Sequence, residues 1–121
     1  MKHSIYIDDE NGLLLISLIG RCSNQEIKLL GERVKWIPPR KCSKAILDIS
    51  ELASFPDQEG QDLLIQLMGN IGVKKVALVG SRPEVKMVGV VFMDSLNKYM
   101  KTAFFQTADK AKLWLDEISM N

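Results

Sequence analysis

Acidic side chains grouped in one stretch are the main candidates for chemistry. Asp48 follows a short apolar run, and Asp57 and Glu59 follow a few residues later. Paired carboxylates can act as general acid and base when a pocket brings them together and separates their pKa values. The sequence has one histidine, His3, which would have to serve as the base of any Ser-His-Asp or Cys-His nucleophile. These residues therefore disfavour an enzyme, and no residue is predicted to be catalytic.

The cysteine pattern gives no sign of a metal or a redox centre. Cys22 and Cys42 are far apart in the sequence and form no Cys-x-x-Cys pair. We interpret both as reduced thiols and predict no metal ligands and no cofactor. His3 lies close to the N-terminus, where we expect a solvated strand residue.

The composition is that of one globular domain spanning residues 1–121. Sixteen Lys and Arg residues nearly cancel fifteen Asp and Glu residues, for a net charge of +1. Nucleic acid is therefore not an expected partner. The N-terminal residues lack the apolar segment of a signal peptide, and the apolar runs are too short to cross a bilayer. We expect a cytoplasmic protein without an integral membrane segment, with Arg40, Lys41 and Lys44 in a solvated loop.

Turn and capping signals divide the chain into strands and helices. Asn11-Gly12 joins two apolar runs and predicts a β-hairpin. Ser23 and Glu26 form a capping box, which predicts the start of the first helix. The predicted elements are strands at 4–8 and 13–20, a helix from 23 to about 36, a strand at 45–49, a helix from after Pro56 to 69–72, a strand at 76–80, a helix at 83–100, a strand at 102–106 and a helix capped by Thr107.

This order, β-β-α-β-α-β-α-β-α, predicts an α/β fold with a single mixed and mostly parallel sheet flanked by about four helices. The runs at 45–49 and 76–80 are continuously apolar, which is typical of central parallel strands covered on both faces. The parallel pairs are expected to be joined by right-handed crossovers.

The third helix is apolar around its whole circumference. One side carries the expected core stripe, and the opposite side carries Met87, Val90, Val91 and Met93. Such a helix is either deeply buried or covered by a partner or ligand. We predict a homodimer through the helix around 83–100. The alternatives are a core helix with scattered exposed apolar residues and a site for a small lipophilic ligand.

Two fragments, IYIDD and ILDIS, resemble a response-regulator receiver, in which an aspartate at a strand end such as Asp48 accepts a phosphoryl group. In that family the first strand leads directly into a helix, whereas Asn11-Gly12 predicts a hairpin here. The final strand of a receiver also ends in a lysine, and here that segment is FFQT. The receiver is kept as a lesser alternative.

The block AILDIS…FPDQEG…LL and the ending FFQTADKAKLWLDEI resemble the STAS domain, in its SpoIIAA-like branch of bacterial anti-sigma-factor antagonists. The resemblance covers nearly the whole chain and implies a non-enzymatic regulatory or protein-interaction module. In that family an Asp-Ser-Ser-Gly motif opens a helix, and the serine before the glycine is phosphorylated. Glu59 stands at that position, so the resemblance implies a module without a phosphorylatable switch serine. A looser kinship of the fold with CRAL-TRIO domains supports the lipophilic-ligand alternative.

The predicted partner-binding surface is a loop from Ser50 to Gly60 together with the start of the second helix, although its residues also have structural explanations. Acidic residues in the first turns of a helix stabilise it by about 0.3–1 kcal/mol each. A carboxylate carries about one negative charge, against roughly −1.5 to −2 for phosphoserine, so Glu59 would imitate a phosphorylated state only in part. The candidate residues are Ser50, Ser54, Asp57, Gln58, Glu59 and Gly60; no protein partner is identified.

Overall fold

The computed structural model describes residues 2–38 and 41–117, which contain five strands and four helices in the predicted order. The α/β fold class predicted from the sequence is confirmed. The elements are β1 (Ser4–Asp8), β2 (Leu13–Arg21), α1 (Asn24–Val34), β3 (Lys44–Ser54), α2 (Gln58–Ile71), β4 (Lys75–Val79), α3 (Pro83–Leu96), β5 (Lys101–Phe105) and α4 (Ala108–Leu115).

The five strands form one mixed sheet in the order β1-β2-β3-β4-β5. The β1 strand is antiparallel to β2, while β2, β3, β4 and β5 are parallel. Gly12 has a φ of 61° in the hairpin turn, a conformation that glycine adopts without steric cost. Response-regulator receivers have the flavodoxin-like strand order 2-1-3-4-5, in which the first strand lies inside the sheet. Here the first strand lies at an edge, so the receiver alternative is wrong in topology.

The two faces of the sheet are covered unequally. The helices α1, α2 and α3 each connect neighbouring parallel strands, and right-handed crossovers place all three on one face. The larger apolar cluster lies beneath them and includes Leu14, Leu47, Leu64 and Phe92. The α4 helix covers part of the opposite face, where Ala111 and Leu115 pack with strand residues that include Ile46 and Ala77.

His3 is buried, so the prediction of a solvated residue was wrong. Its side chain lies against the end of β2 and the start of α1, and it is 3% exposed. The Nδ1 atom accepts a hydrogen bond from the Ile19 N–H at 3.0 Å. The Nε2 atom lies 3.2 Å from Glu26 Oε2 without hydrogen-bond alignment. Contacts with two elements distant in the sequence decide this burial.

The capping box predicted for α1 is confirmed. The Glu26 N–H donates to the Ser23 hydroxyl at 3.2 Å, and the Ser23 N–H donates to the Glu26 carboxylate at 3.2 Å. The backbone hydrogen bond from Ser23 lowers the pKa of Glu26, and the Ser23 hydroxyl and His3 act in the same direction.

Both cysteines are free and buried. Burial raises the pKa of Cys22 to about 11, and it also raises the pKa of Cys42. Within residues 2–38 and 41–117, no helix is long and apolar enough to cross a membrane. Of the predicted basic loop, Lys41 pairs with Asp9, and Arg40 lies outside the described residues. Lys44 is the first residue of β3, so its place in the loop was wrong, and it pairs with Asp116.

Candidate functional site

The β3 strand that leads to the candidate site is longer than predicted. It was expected to end at Ile49, but it continues to Ser54 because β2 also extends past the end of β4 and keeps pairing with it. Two register shifts interrupt this pairing, and Arg21 lies opposite Ser54. Ser50 and Ser54 therefore lie in a strand, and the prediction of a loop from residue 50 was wrong.

Arg82 covers the edge of β3 where β4 has ended. Its Nε donates to the Ser50 carbonyl at 3.0 Å, and its Nη2 donates to the Leu52 carbonyl at 2.7 Å. One guanidinium thus replaces two donors of a neighbouring strand. Sequence reasoning missed this role, since Arg82 has no local signal beyond its position before the helix-starting Pro83.

A short turn of Phe55 and Pro56 connects β3 to the start of α2. Asp57 is the N-cap residue of α2, and its Oδ1 accepts a hydrogen bond from the Gly60 N–H at 3.0 Å. The Phe55 ring packs edge-on against Phe92, with ring centroids 5.3 Å apart. The turn is therefore fixed by both a helix cap and an aromatic contact with α3.

Gly60 allows the N-terminal ends of α1 and α2 to pack closely. A Cβ atom at this position would lie 2.5 Å from Asn24 Oδ1 and 2.7 Å from the Cβ of Pro56. The neighbouring Glu59 carboxylate accepts a hydrogen bond from Asn24 Nδ2 at 3.3 Å. Gly60 is buried, and its role in the candidate site is to bring the two helix ends together.

Three consecutive exposed side chains at the end of this turn form what we call the α2-start surface, defined as Asp57, Gln58 and Glu59. Gln58 Nε2 donates to Asp62 Oδ1 at 2.9 Å. The surface offers carboxylates and an amide to solvent at the positive end of a helix dipole. This chemistry suits hydrogen bonding and ion pairing with another molecule.

The candidate carboxylates do not converge on a catalytic pair. Leu47 and Ile49 belong to the cluster beneath α1, α2 and α3, and Ile46 belongs to the cluster beneath α4. Asp48 alternates with Leu47 and Ile49 along β3, so it lies on the α4 face, opposite the start of α2. Its Oδ1 accepts from the Ser50 N–H at 2.9 Å. Within the described ranges, His, Cys, Asp and Glu form no metal-binding cluster.

The outer side of α3 carries an apolar patch, which we call the α3 patch and define as Met87, Val90 and Val91. Met87 is 74% exposed and Val91 is 61% exposed. Met93, which was also predicted to belong to this surface, is half-buried and packs against the core. A cavity of about 120 Å³ lies between the end of β3 and α3; its lining includes Leu52, Phe55, Val85 and Val88.

A family model described as a domain of unknown function, DUF7793, matches residues 28–119. The chain belongs to the DUF7793 family. The search among curated proteins finds no match.

Solved structures share the fold along nearly the whole chain. An uncharacterized protein of the DUF3478 family with a SpoIIAA-like fold, from Shewanella loihica PV-4, is similar at 19% identity with a TM-score of 0.62. The match covers 93% of this chain and 91% of that chain. The anti-sigma factor antagonist SpoIIAA in its unphosphorylated form is similar at 13% identity with a TM-score of 0.66, and the match covers 96% of this chain and 99% of that chain. The Bacillus cell fate determinant SpoIIAA in its phosphorylated form is similar at 16% identity with a TM-score of 0.61, and the match covers 93% of this chain and 98% of that chain. The chain has a SpoIIAA-like fold, which confirms the predicted resemblance.

Proposed function

We propose that this protein is a non-enzymatic regulatory module that binds a protein partner through the α2-start surface. The main support is that three exposed polar side chains lie at the start of α2. This helix end is held in place by the Asp57 cap and by the close packing of Gly60 against Asn24. A fixed polar surface loses little conformational freedom on binding. The SpoIIAA-like fold supports this proposal, because one protein of that fold is an anti-sigma factor antagonist.

The proposed module acts without a switch serine in α2. Glu59 occupies the second position of α2, at the place that the STAS resemblance gives to the phosphorylated serine. Its side chain has no hydroxyl group, so a serine kinase has no acceptor there. Partner binding at this position would then be set by the presence and concentration of the partner, with no phosphorylation at residue 59.

The test compares Glu59→Lys with Asp109→Lys. Both acids occupy the second position of an exposed helix start, after the caps Asp57 and Thr107, so the two substitutions make the same change of charge near a helix N-terminus. Glu59→Lys also removes the hydrogen bond from Asn24, which the comparison of folded stability takes into account. Immobilised wild type and variants are incubated with lysate of the source organism, and the bound proteins are quantified by mass spectrometry. We expect Glu59→Lys to weaken capture of the specific partner about tenfold or more, while Asp109→Lys retains it.

Equal recovery of every bound protein by both folded variants would show that the α2-start surface is not the recognition surface. Circular dichroism of the variants checks that the fold is intact.

We further propose that the α3 patch pairs with a second copy of the chain. Glu84, Val91 and Lys98 recur at seven-residue spacing and share one side of α3 and the turn that follows it. In an antiparallel pair around a two-fold axis near Val91, Glu84 of one copy approaches Lys98 of the other. Such an arrangement buries the apolar patch and is self-complementary in charge.

Sedimentation velocity over a range of concentrations tests this pairing. We expect Val91→Glu to shift the protein to the monomer. Leu113→Glu on α4, which changes a residue that is 73% exposed, should leave association unchanged. A wild-type protein that stays monomeric at the highest concentration would remove the proposal.

A further inference from the structure

A cleft of about 750 Å³ lies between α2 and the turn that joins α3 to β5. Its volume falls within the range of about 300–1,000 Å³ that is typical of ligand pockets. Val73 and Met100 are buried at its base, Ile65 is half-buried beside them, and Tyr99 is 71% exposed. The cleft therefore combines an apolar base with an aromatic ring at its mouth.

One wall of the cleft carries a row of polar side chains along α2. Asp62, Gln66 and Asn70 line the cleft at intervals of four residues, and all three are exposed. Residues four apart on a helix are neighbours on its surface. Each interval advances about 6 Å along the helix axis. The wall therefore offers polar groups at a nearly constant spacing.

This spacing matches the repeat of an extended peptide. Alternate residues of a β-strand are about 6.6 Å apart, and their side chains point to the same side. A carboxamide has both a donor and an acceptor, as does each peptide unit of a backbone. Gln66 and Asn70 can therefore each bond to an extended backbone along the wall, while alternate side chains of that chain turn toward the apolar base.

Within the described part of the chain, Asp62 and Lys74 are the charged residues that line the cleft, and they lie at its opposite ends. The α2 helix advances about 15 Å between Asp62 and its C-cap Gly72, which is the length of about five extended residues. Asp62 accepts one hydrogen bond from Gln58 Nε2 at 2.9 Å, and a carboxylate can accept several. The lining carries no net charge, so it complements a ligand with a cation at one end and an anion at the other.

Gly69 leaves room for a chain in the cleft. It is exposed inside α2, where glycine is less favourable than alanine. A Cβ atom at this position would meet only Met100 Cε, at the ordinary contact distance of 3.9 Å. Packing therefore does not require a glycine here, and its effect is to let a backbone approach the polar wall.

We propose that this cleft binds an extended segment of about five residues from a protein partner. The backbone of the segment bonds to Gln66 and Asn70, and its central apolar side chain lies on the base of the cleft. A basic residue at one end pairs with Asp62, and an acidic residue at the other end pairs with Lys74. The cleft shares no residue with the α2-start surface or with the α3 patch, so its test does not depend on the proposed function.

The test titrates ¹⁵N-labelled protein with two pentapeptides that are acetylated and amidated at their ends, Lys-Ser-Leu-Ser-Glu and Glu-Ser-Leu-Ser-Lys. The two place the same side chains along the cleft in opposite chain directions. We expect the better binder to shift the amides of Gly69, Gly72 and Lys74, and its transferred NOEs to show an extended chain. Lys-Ser-Leu-Ser-Lys should bind about three- to fivefold more weakly, because its second cation replaces the anion at Lys74.

Variants test the charge, the amide row and the open space in turn. Lys74→Glu should reverse the preference, so that the doubly basic peptide binds more tightly, while Lys110→Glu on exposed α4 should leave the preference unchanged. Gln66→Leu should weaken binding about two- to tenfold, whereas Gln25→Leu, the same change at an exposed position of α1, should not. Gly69→Gln should abolish binding without lowering the melting temperature, because glutamine favours a helix more than glycine does.

Three outcomes would overturn the proposal. The first is the absence of amide shifts at the cleft with either chain direction at millimolar peptide, including shifts confined to the α3 patch. The second is a helical pattern of transferred NOEs in the bound peptide. The third is equal affinity for the peptides with opposite and with like end charges, with no effect of Lys74→Glu or Gln66→Leu.

Discussion

Substituting Gly60 with alanine should destabilise the protein, although alanine is the better helix former. The added Cβ would lie 2.5 Å from Asn24 Oδ1, 2.7 Å from the Cβ of Pro56 and 3.1 Å from Ile27 Cδ1. Overpacking of this kind costs about 1–3 kcal/mol. The gain in helix propensity offsets about 1 kcal/mol at most. The Cβ of Pro56 belongs to a rigid ring and cannot move aside, so we expect a cost in the upper part of that range, about 2–3 kcal/mol, and a net loss of about 1–2 kcal/mol in the free energy of unfolding.

Thermal and urea unfolding followed by circular dichroism measure this loss. For a chain of this size, 1 kcal/mol corresponds to about 4 °C in Tm, so Gly60→Ala should melt about 4–8 °C below the wild type. The urea midpoint should fall with little change in the m-value.

Gly31→Ala is the matched control, since it makes the same change inside α1. There the added Cβ would meet only Leu67 Cδ1, at 4.0 Å. Helix propensity then dominates, and Tm should rise by about 4 °C. If Gly60→Ala proves as stable as the wild type while Gly31→Ala shows its expected rise, the close approach of α1 and α2 is not what requires glycine at position 60.

Three further predictions concern Arg82, Glu26 and the cysteines. Arg82→Ala removes both guanidinium hydrogen bonds to β3 and should cost about 1–3 kcal/mol in urea unfolding; hydrogen exchange should accelerate in the last residues of β3 and stay unchanged in β4, and unchanged exchange at both places would contradict the role of Arg82. The pKa of Glu26 is below its ordinary value of 4.5 in the folded protein, so the stability it contributes is present above that pH and is lost as pH falls through the lower folded pKa. Below about pH 4.5, the free energy of unfolding of the wild type should therefore fall more steeply with decreasing pH than that of Glu26→Gln. Parallel curves of the free energy of unfolding against pH would refute this linkage. Since burial raises the pKa of Cys22 to about 11 and also raises that of Cys42, iodoacetamide at mildly alkaline pH should label neither thiol until denaturant is added; rapid labelling of the native protein would show that one of them is accessible.

Elements specified by neighbouring residues were predicted well from the sequence. Asn11-Gly12 fixed the hairpin, the Ser23 and Glu26 capping box fixed the start of α1, and Pro83 fixed the start of α3. Each signal acts within a few residues through backbone geometry or a local hydrogen bond, so it can be read without knowledge of the rest of the fold.

Features that depend on distant partners were missed. The run SELAS loses its continuous apolar character, which suggested that β3 had ended; the length of β2 keeps it extended to Ser54. His3 is buried by α1 and β2, which lie far from it in the sequence. In the candidate site, the sequence placed Asp57 and Glu59 at the start of the second helix, while the contact of Gly60 with Asn24 required the packed structure.

The pairing of Arg82 with β3 also bears on how copies of this protein behave at high concentration. The part of β3 beyond β4 would otherwise present unpaired backbone carbonyls, and a bare strand edge is a template on which another chain can add and begin to aggregate. Arg82 occupies two of those acceptors and places a positive charge at the edge, which discourages a second strand from docking. A protein lacking this arginine would keep the same sheet but aggregate at a lower concentration, so Arg82 contributes to solubility as well as to the stability of the fold.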